Sequence, residues 1–366
     1  KTLGSRMKTS CWMTLVVNPV TRLKNAAVLA AFFVVALITG CSGELEIDKL
    51  QGRTMGTSWS VVIANPIAAH DQKTLQAEIE SVLAEVNRQM STYDPTSEIS
   101  QFNESDASDT WYPVSELFAI TTAKALGFSE ISNGAFDPTV GPLVNLWGFG
   151  PDAGAAALPS DAVIDEAKTQ VGFTAISVRA PEADGGAAIK KRAQRRLDLS
   201  AIAKGLGVDQ VYELLDDQGY ANFLVEIGGE VRVKGDKDGL GWKIAIEKPI
   251  KGERAVEQVL SLKNVALATS GDYRNYREID GVAYSHTIDP STGRPVTHQL
   301  ASVTVADPEC AMADGWATTL LVMGPEKGFA LAESRNIPAM FIERDGDTFV
   351  IKQTPRFKRL LAGHSE

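Results

Sequence analysis

An α+β fold, with mixed sheets of short strands flanked by helices, is predicted from three observations. Short strand-like runs recur along the chain, a few amphipathic helices stand among them, and the two do not alternate in regular βαβ units. At 366 residues the chain is long enough for one large domain or two smaller ones, and 44% hydrophobic with 22% charged residues is an ordinary globular composition. A net charge of −10 argues against a nucleic-acid partner, because no basic block gathers the charge that phosphates demand. The richest basic run, Lys190–Arg196, is short and reads as a solvated loop.

The chain opens with an export pattern. Arg22 and Lys24 lead into the apolar run Ala26–Ile38, which ends in Thr39-Gly40-Cys41. The run is short for a transmembrane span. Ile38-Thr39-Gly40-Cys41 resembles a bacterial lipobox, so residues 1–40 are expected to be a lipoprotein-type signal with an N-terminal extension ahead of Met7. Cys41 would carry the lipid and 41–49 would be a tether. The three cysteines, Cys11, Cys41 and Cys310, make no disulfide framework, and Cys310 among small apolar residues reads as an inert buried thiol.

From Glu44 the folded part begins, with Thr54-Met55-Gly56-Thr57 ahead of a strand over Ser58–Ile63. Leu75, Ile79, Val82, Leu83, Val86 and Met90 recur at helical spacing and predict a helix over Thr74–Met90. A loop dense in hydroxyls and acids, Ser91–Glu98, follows, then a helix over Ser115–Ser132 with Ser115 as N-cap. Two Gly and two Pro within Asn133–Pro142 pin the backbone in an unusual path, of the kind that often touches ligands. A Gly/Ala/Pro-rich surface loop, Gly148–Pro159, precedes a helix near Ser160–Val171. Leu197–Gly205 reads as a strand end turning into a helix, with Ser200 as N-cap and Lys204 one turn in. Open amides there would attract an anion, although capping alone explains Ser200 equally well. Further strands are predicted over Asn222–Ile227, Glu230–Lys234, Trp242–Glu247, Ser261–Thr269, Ala301–Val305 and Met340–Glu343.

Two stretches carry the chemistry. Tyr284–Pro295 places His286 between a short strand and a turn-rich loop, a good way to hold a general base still. A histidine satisfying a buried polar network would look the same. In the helix from Cys310 to Gly324, Asp314 and Thr318 sit four apart, on one face. Hydrogen bonds to neighbouring backbone would satisfy that pair, and so would a hard cation such as Mg²⁺ held together with substrate phosphates.

Several motifs occur in a fixed order: Thr54-Met55-Gly56-Thr57, Met90-Ser91-Thr92-Tyr93, Gly134–Thr139, Asp198–Gly205, Ile227-Gly228-Gly229-Glu230, Ser285–Pro290 and Ala313–Thr318. Together, over about Leu50–Phe349, they resemble the ApbE family of FAD:protein FMN transferases. The resemblance implies a T-fold-like architecture over 50–355, followed by a tail at 356–366, with FAD in a cleft between two subdomains. It also implies Mg²⁺-dependent transfer of FMN from FAD to a threonine or serine of a partner flavoprotein. Such acceptors include subunits of sodium-translocating quinone reductase and related electron-transfer complexes, and the enzyme would sit on the periplasmic side of a membrane. Carried onto this chain, Asp314, Thr318 and the Ala201 carbonyl would hold the metal. Met55, Tyr93, Ala135, Phe136, Asp137, Asp198, Lys204 and Ile288 would line the FAD site, and His286 would be the base. Relatives that only hydrolyse FAD tend to carry asparagine where this chain has Tyr93, so the tyrosine is the transferase-like choice. An FAD pyrophosphatase and a non-catalytic flavin-binding lipoprotein are the alternatives; retention of both His286 and the Asp314–Thr318 pair speaks against the latter.

Overall fold

A computed structural model describes residues 46–362, apart from 67–70, 107, 152–157, 183, 251, 253–254, 274 and 280. The export pattern and Cys41 lie outside the described residues. Among those described, no helix is long and apolar enough to cross a membrane.

The centre of the fold is an eight-stranded sheet. Its spatial order is Ile47–Thr54, Thr57–Ala64, Phe223–Ile227, Glu230–Lys234, Val265–Gly271, Leu300–Asp307, Ala339–Asp345 and Thr348–Gln353. Every neighbouring pair in it is antiparallel. Alternate residues point to opposite faces, and both faces are covered. Val303, Val305 and Phe341 face the helices, whereas Val231, Val233, Met340 and Ile342 face a hairpin of Trp242–Glu247 and Val256–Leu262. The α+β class is therefore as predicted.

The helices follow the predicted periodicity. Gln72–Met90 buries Leu75, Ile79, Leu83, Val86 and Met90, and Glu116–Ile131 is capped by Ser115, whose hydroxyl accepts from the Phe118 amide. Asp161–Lys168 is the helix expected near Ser160. The predicted single strand Ser261–Thr269 is two strands, ending at Leu262 and restarting at Val265. Asn264 takes a positive φ of 51° between them, so the chain leaves the hairpin for the main sheet.

Other expectations are corrected. Ile47–Thr54 is a strand, in keeping with a folded part that begins near Glu44 and ahead of the 50–355 span that the resemblance implied. The folded part also runs past 355, since Pro355–Leu361 is a helix whose Phe357 is fully buried. The basic run is only partly a solvated loop. Lys191 is fully buried and donates to the Phe102 and Asn103 carbonyls at 2.8 and 2.9 Å, because a buried ammonium needs acceptors.

Two helices position the site. Ser200–Asp217 packs against Cys310–Ser334, and Asp209 on the first accepts the Cys310 and Ala311 amides, both at 2.8 Å. A carboxylate thus caps a helix whose own N-cap residue, Glu309, makes no side-chain cap, and Arg232 donates to the same group at 2.6 Å. Gly324 ends the first part of the Cys310 helix as expected (φ 81°), and Pro325 starts a second helical part on its far side. The helices approach closely at Gly205, where a Cβ would lie 2.4 Å from the Cys310 carbonyl oxygen. Gly205→Ala is therefore expected to destabilise the fold by about 3 kcal/mol, near the top of the usual overpacking range. A thermal melt within a degree of wild type would show that the helices can slide apart freely.

Candidate active site

A cleft of about 1250 Å³ opens above these two helices, roomier than a typical small-molecule pocket. All twelve sequence-predicted site residues border it. It opens within one compact unit, 46–366.

At one wall, the His286 backbone amide and Nδ1 both reach the Asn275 carbonyl, at 3.2 and 3.0 Å. A carbonyl only accepts, so Nδ1 carries the proton and Nε2 keeps its lone pair. Burial lowers the imidazole pKa. The Asn275 carbonyl and Asp272 pull the other way, and the Lys204 charge adds to the lowering. The loop beneath is rigid: Asp289 accepts from the Ser291 amide and hydroxyl, and the Trp147 indole donates to the Gly293 carbonyl at 2.8 Å. Leu143, Trp147, Ile164 and Ile288 form a small core under it, with Tyr284 against Trp147 at 5.5 Å.

On the floor, Asp314 is buried and its Oδ2 accepts from the Gly205 amide at 3.0 Å. In an α-helix that amide points at the carbonyl four residues back, here Ala201, so the Ala201 carbonyl and the Asp314 carboxylate converge on one N–H. Thr318 Oγ1 lies 3.0 Å from Ser270 Oγ. Lys204 Nζ is 2.8 Å from Glu230 Oε1 and 3.7 Å from Asp314 Oδ1. Burial pushes both carboxyls upward against the pull of Lys204. Burial would lower the Lys204 ammonium, but Asp314 and Glu230 together hold it above its ordinary range. Burial also pushes the Cys310 thiol well up, leaving it unreactive as expected.

The flavin-side residues divide by what their polar atoms do. Met55 sits in the two-residue turn between the first two strands (φ 48°, then 71° at Gly56) and packs towards Gly207. Tyr93 is 67% exposed, with its hydroxyl on the Phe149 carbonyl at 3.1 Å, leaving the ring face available for stacking. Ala135 and Phe136 line the cleft, with Phe136 packed on Phe128. Asp137 spends both oxygens on its own loop: one accepts from the Thr139 amide and hydroxyl, the other from the Phe173 amide. It shapes the wall more than it offers a free acceptor. Ser200 is not the N-cap expected. Leu199 holds that place, and the Asp198 carboxylate accepts the Ser200 amide and hydroxyl. An anionic Asp198 at this helix start removes one amide from the predicted anion site.

Sequence reasoning assigned no role to Ser270, Asn275 or Glu230. The first two carry no periodic or compositional signal. Glu230 had one, a carboxylate opening a strand directly after Gly228-Gly229.

An imidazole with a free nitrogen, a pair of hard oxygens and a lysine around one cleft are the parts that transfer of a phosphorus-bearing group uses. The ApbE family model matches residues 55–341. The chain is 44% identical over 335 residues to a FAD:protein FMN transferase of Vibrio cholerae, covering 91% of this chain and 98% of that one. It is 42% identical over 327 residues to the protein of the same name from Haemophilus influenzae, covering 88% and 94%. Among solved structures, the flavin transferase ApbE from Vibrio cholerae superimposes with a TM-score of 0.79 at 43% identity, covering 86% of this chain and 99% of that one. The apo form of Pseudomonas stutzeri flavinyl transferase ApbE gives 0.79 at 37%, covering 89% and 100%. The chain belongs to the ApbE family.

Proposed function

We propose that this protein transfers FMN from FAD to a threonine or serine hydroxyl of a partner flavoprotein, releasing AMP. The observation that carries this reading is that His286, Asp314 and Thr318 border one cleft of about 1250 Å³. Tyr93 and Phe136 would bound the isoalloxazine, and Lys204 would face the pyrophosphate. The acceptor oxygen attacks the FMN-side phosphorus, the P–O bond to AMP breaks, and the hydroxyl proton passes to Nε2 of His286.

The donor set fits Mg²⁺: a carboxylate, a hydroxyl and a backbone carbonyl are hard oxygens, leaving further positions for phosphate and water. Asp314, Thr318 and the Ala201 carbonyl would hold it, with the Ser270 hydroxyl behind Thr318. Bound there, the cation would neutralise charge developing on the pyrophosphate. Flavin-carrying subunits of the sodium-translocating quinone reductase type are the acceptor class we favour, and a lipid on Cys41 would hold the enzyme at the periplasmic face of a membrane.

The test mixes the chain with FAD, Mg²⁺ and an acceptor domain that an established flavin transferase labels. A fluorescent acceptor band that survives denaturation and disappears with EDTA is expected. Free FMN and AMP beside an unlabelled acceptor would instead make this an FAD pyrophosphatase.

A further inference from the structure

We infer that Glu230 is a positioning residue: it draws Lys204 away from Asp314 and so keeps the one available carboxylate oxygen open to a divalent cation. The inference rests on the metal reading above and deepens it. Asp314 Oδ2 already accepts the Gly205 amide, which leaves Oδ1 for a cation. Lys204 is the cation at ion-pair distance from that oxygen among the described residues, and it stands off at 3.7 Å because Glu230 Oε1 holds it at 2.8 Å. The lysine stem can turn, since its side chain is one-third exposed, whereas the Glu230 side chain is only 4% exposed. Glu230 Oε2 is buried with no hydrogen-bond partner among the described residues. A carboxylate used only for packing would be a poor choice there, because an apolar side chain of similar size avoids the desolvation cost.

The test uses Mn²⁺ alone as the probe, titrated into the chain without FAD and followed by the paramagnetic resonance of the free ion. Glu230→Ala should weaken Mn²⁺ binding by about tenfold or more, the order expected when a unit charge moves into contact with the ligand carboxylate. Adding Lys204→Met to that variant should restore most of the loss, which a Glu230 acting as a ligand, or as a mere packing residue, would not allow. Should Glu230→Ala fail to fold, Glu230→Gln keeps the shape, loses the charge and should shift affinity in the same direction. Unchanged Mn²⁺ affinity in a folded Glu230 variant, or a loss that Lys204→Met does not reverse, overturns the inference. Absence of Mn²⁺ binding by the wild-type chain would overturn the metal reading itself.

Discussion

Replacing His286 with alanine is expected to slow FMN transfer by about 10²- to 10⁴-fold while FAD remains bound, the range spanned by a positioned general base. The geometry supports the direction. The Asn275 carbonyl holds the Nδ1 proton, Nε2 is left as the base, and the Phe149 ring stands edge-on to the imidazole at 6.3 Å. Alanine removes the base but none of the residues proposed to grip the flavin, so flavin fluorescence quenching on binding should change little. The pH profile checks the same residue independently. A base must be neutral to work, and burial places the imidazole pKa below its ordinary value. Transfer should hold steady through neutrality and fall only as pH drops below about 6.5, where the imidazole takes up its proton. A wild-type rate already falling between pH 8 and 7 would contradict that assignment, as would an alanine variant that keeps the full rate.

Substitution at Asp314 should have a comparable effect through a different route. Asp314→Asn keeps an oxygen for the Gly205 amide and nearly the same volume, so the two helices should stay packed. What it loses is the charge on the remaining oxygen. Mg²⁺-supported transfer is expected to fall by about 10³-fold, equivalent to the several kcal/mol that a cation contributes at a phosphoryl centre. Asp314→Ala should also lower the melting temperature, since it empties a buried volume between the packed helices. If Asp314→Asn transferred FMN at the wild-type rate with the same Mg²⁺ dependence, the cation would have to sit elsewhere.

Much of this site was legible residue by residue, because its parts are local devices. A spacing of four from Asp314 to Thr318 already places both oxygens on one helix face. Tyr284–Ile288 reads as a short strand entering a turn-rich loop, and the strand Val282–Ser285 delivers His286 there. What was misread depended on partners far along the chain. Ser200 has every local mark of an N-cap, yet Asp198 takes its amide because the chain is pinned there by the Asp198 amide on the Pro138 carbonyl. Lys191 belongs to a basic run and still lies buried, because the end of the helix Glu98–Glu104 offers two carbonyls to receive it.

By itself, then, the sequence determined the α+β class and the main helices and strands, and its ordered motifs, through their family resemblance, named the residues that border the cleft. Periodicity, capping and turn chemistry act over a few residues, and they are written in the order of the side chains. Only the tertiary structure decided which of those residues meet. Asp314 reaches the amide of Gly205, 109 positions away, Lys204 turns to Glu230, and the Asn275 carbonyl chooses the tautomer of His286. Those pairings arise where two helices pack at a glycine and the segments carrying Asn275 and His286 border the same cleft. Their energies come from burial and charge at that place, and no local pattern encodes them.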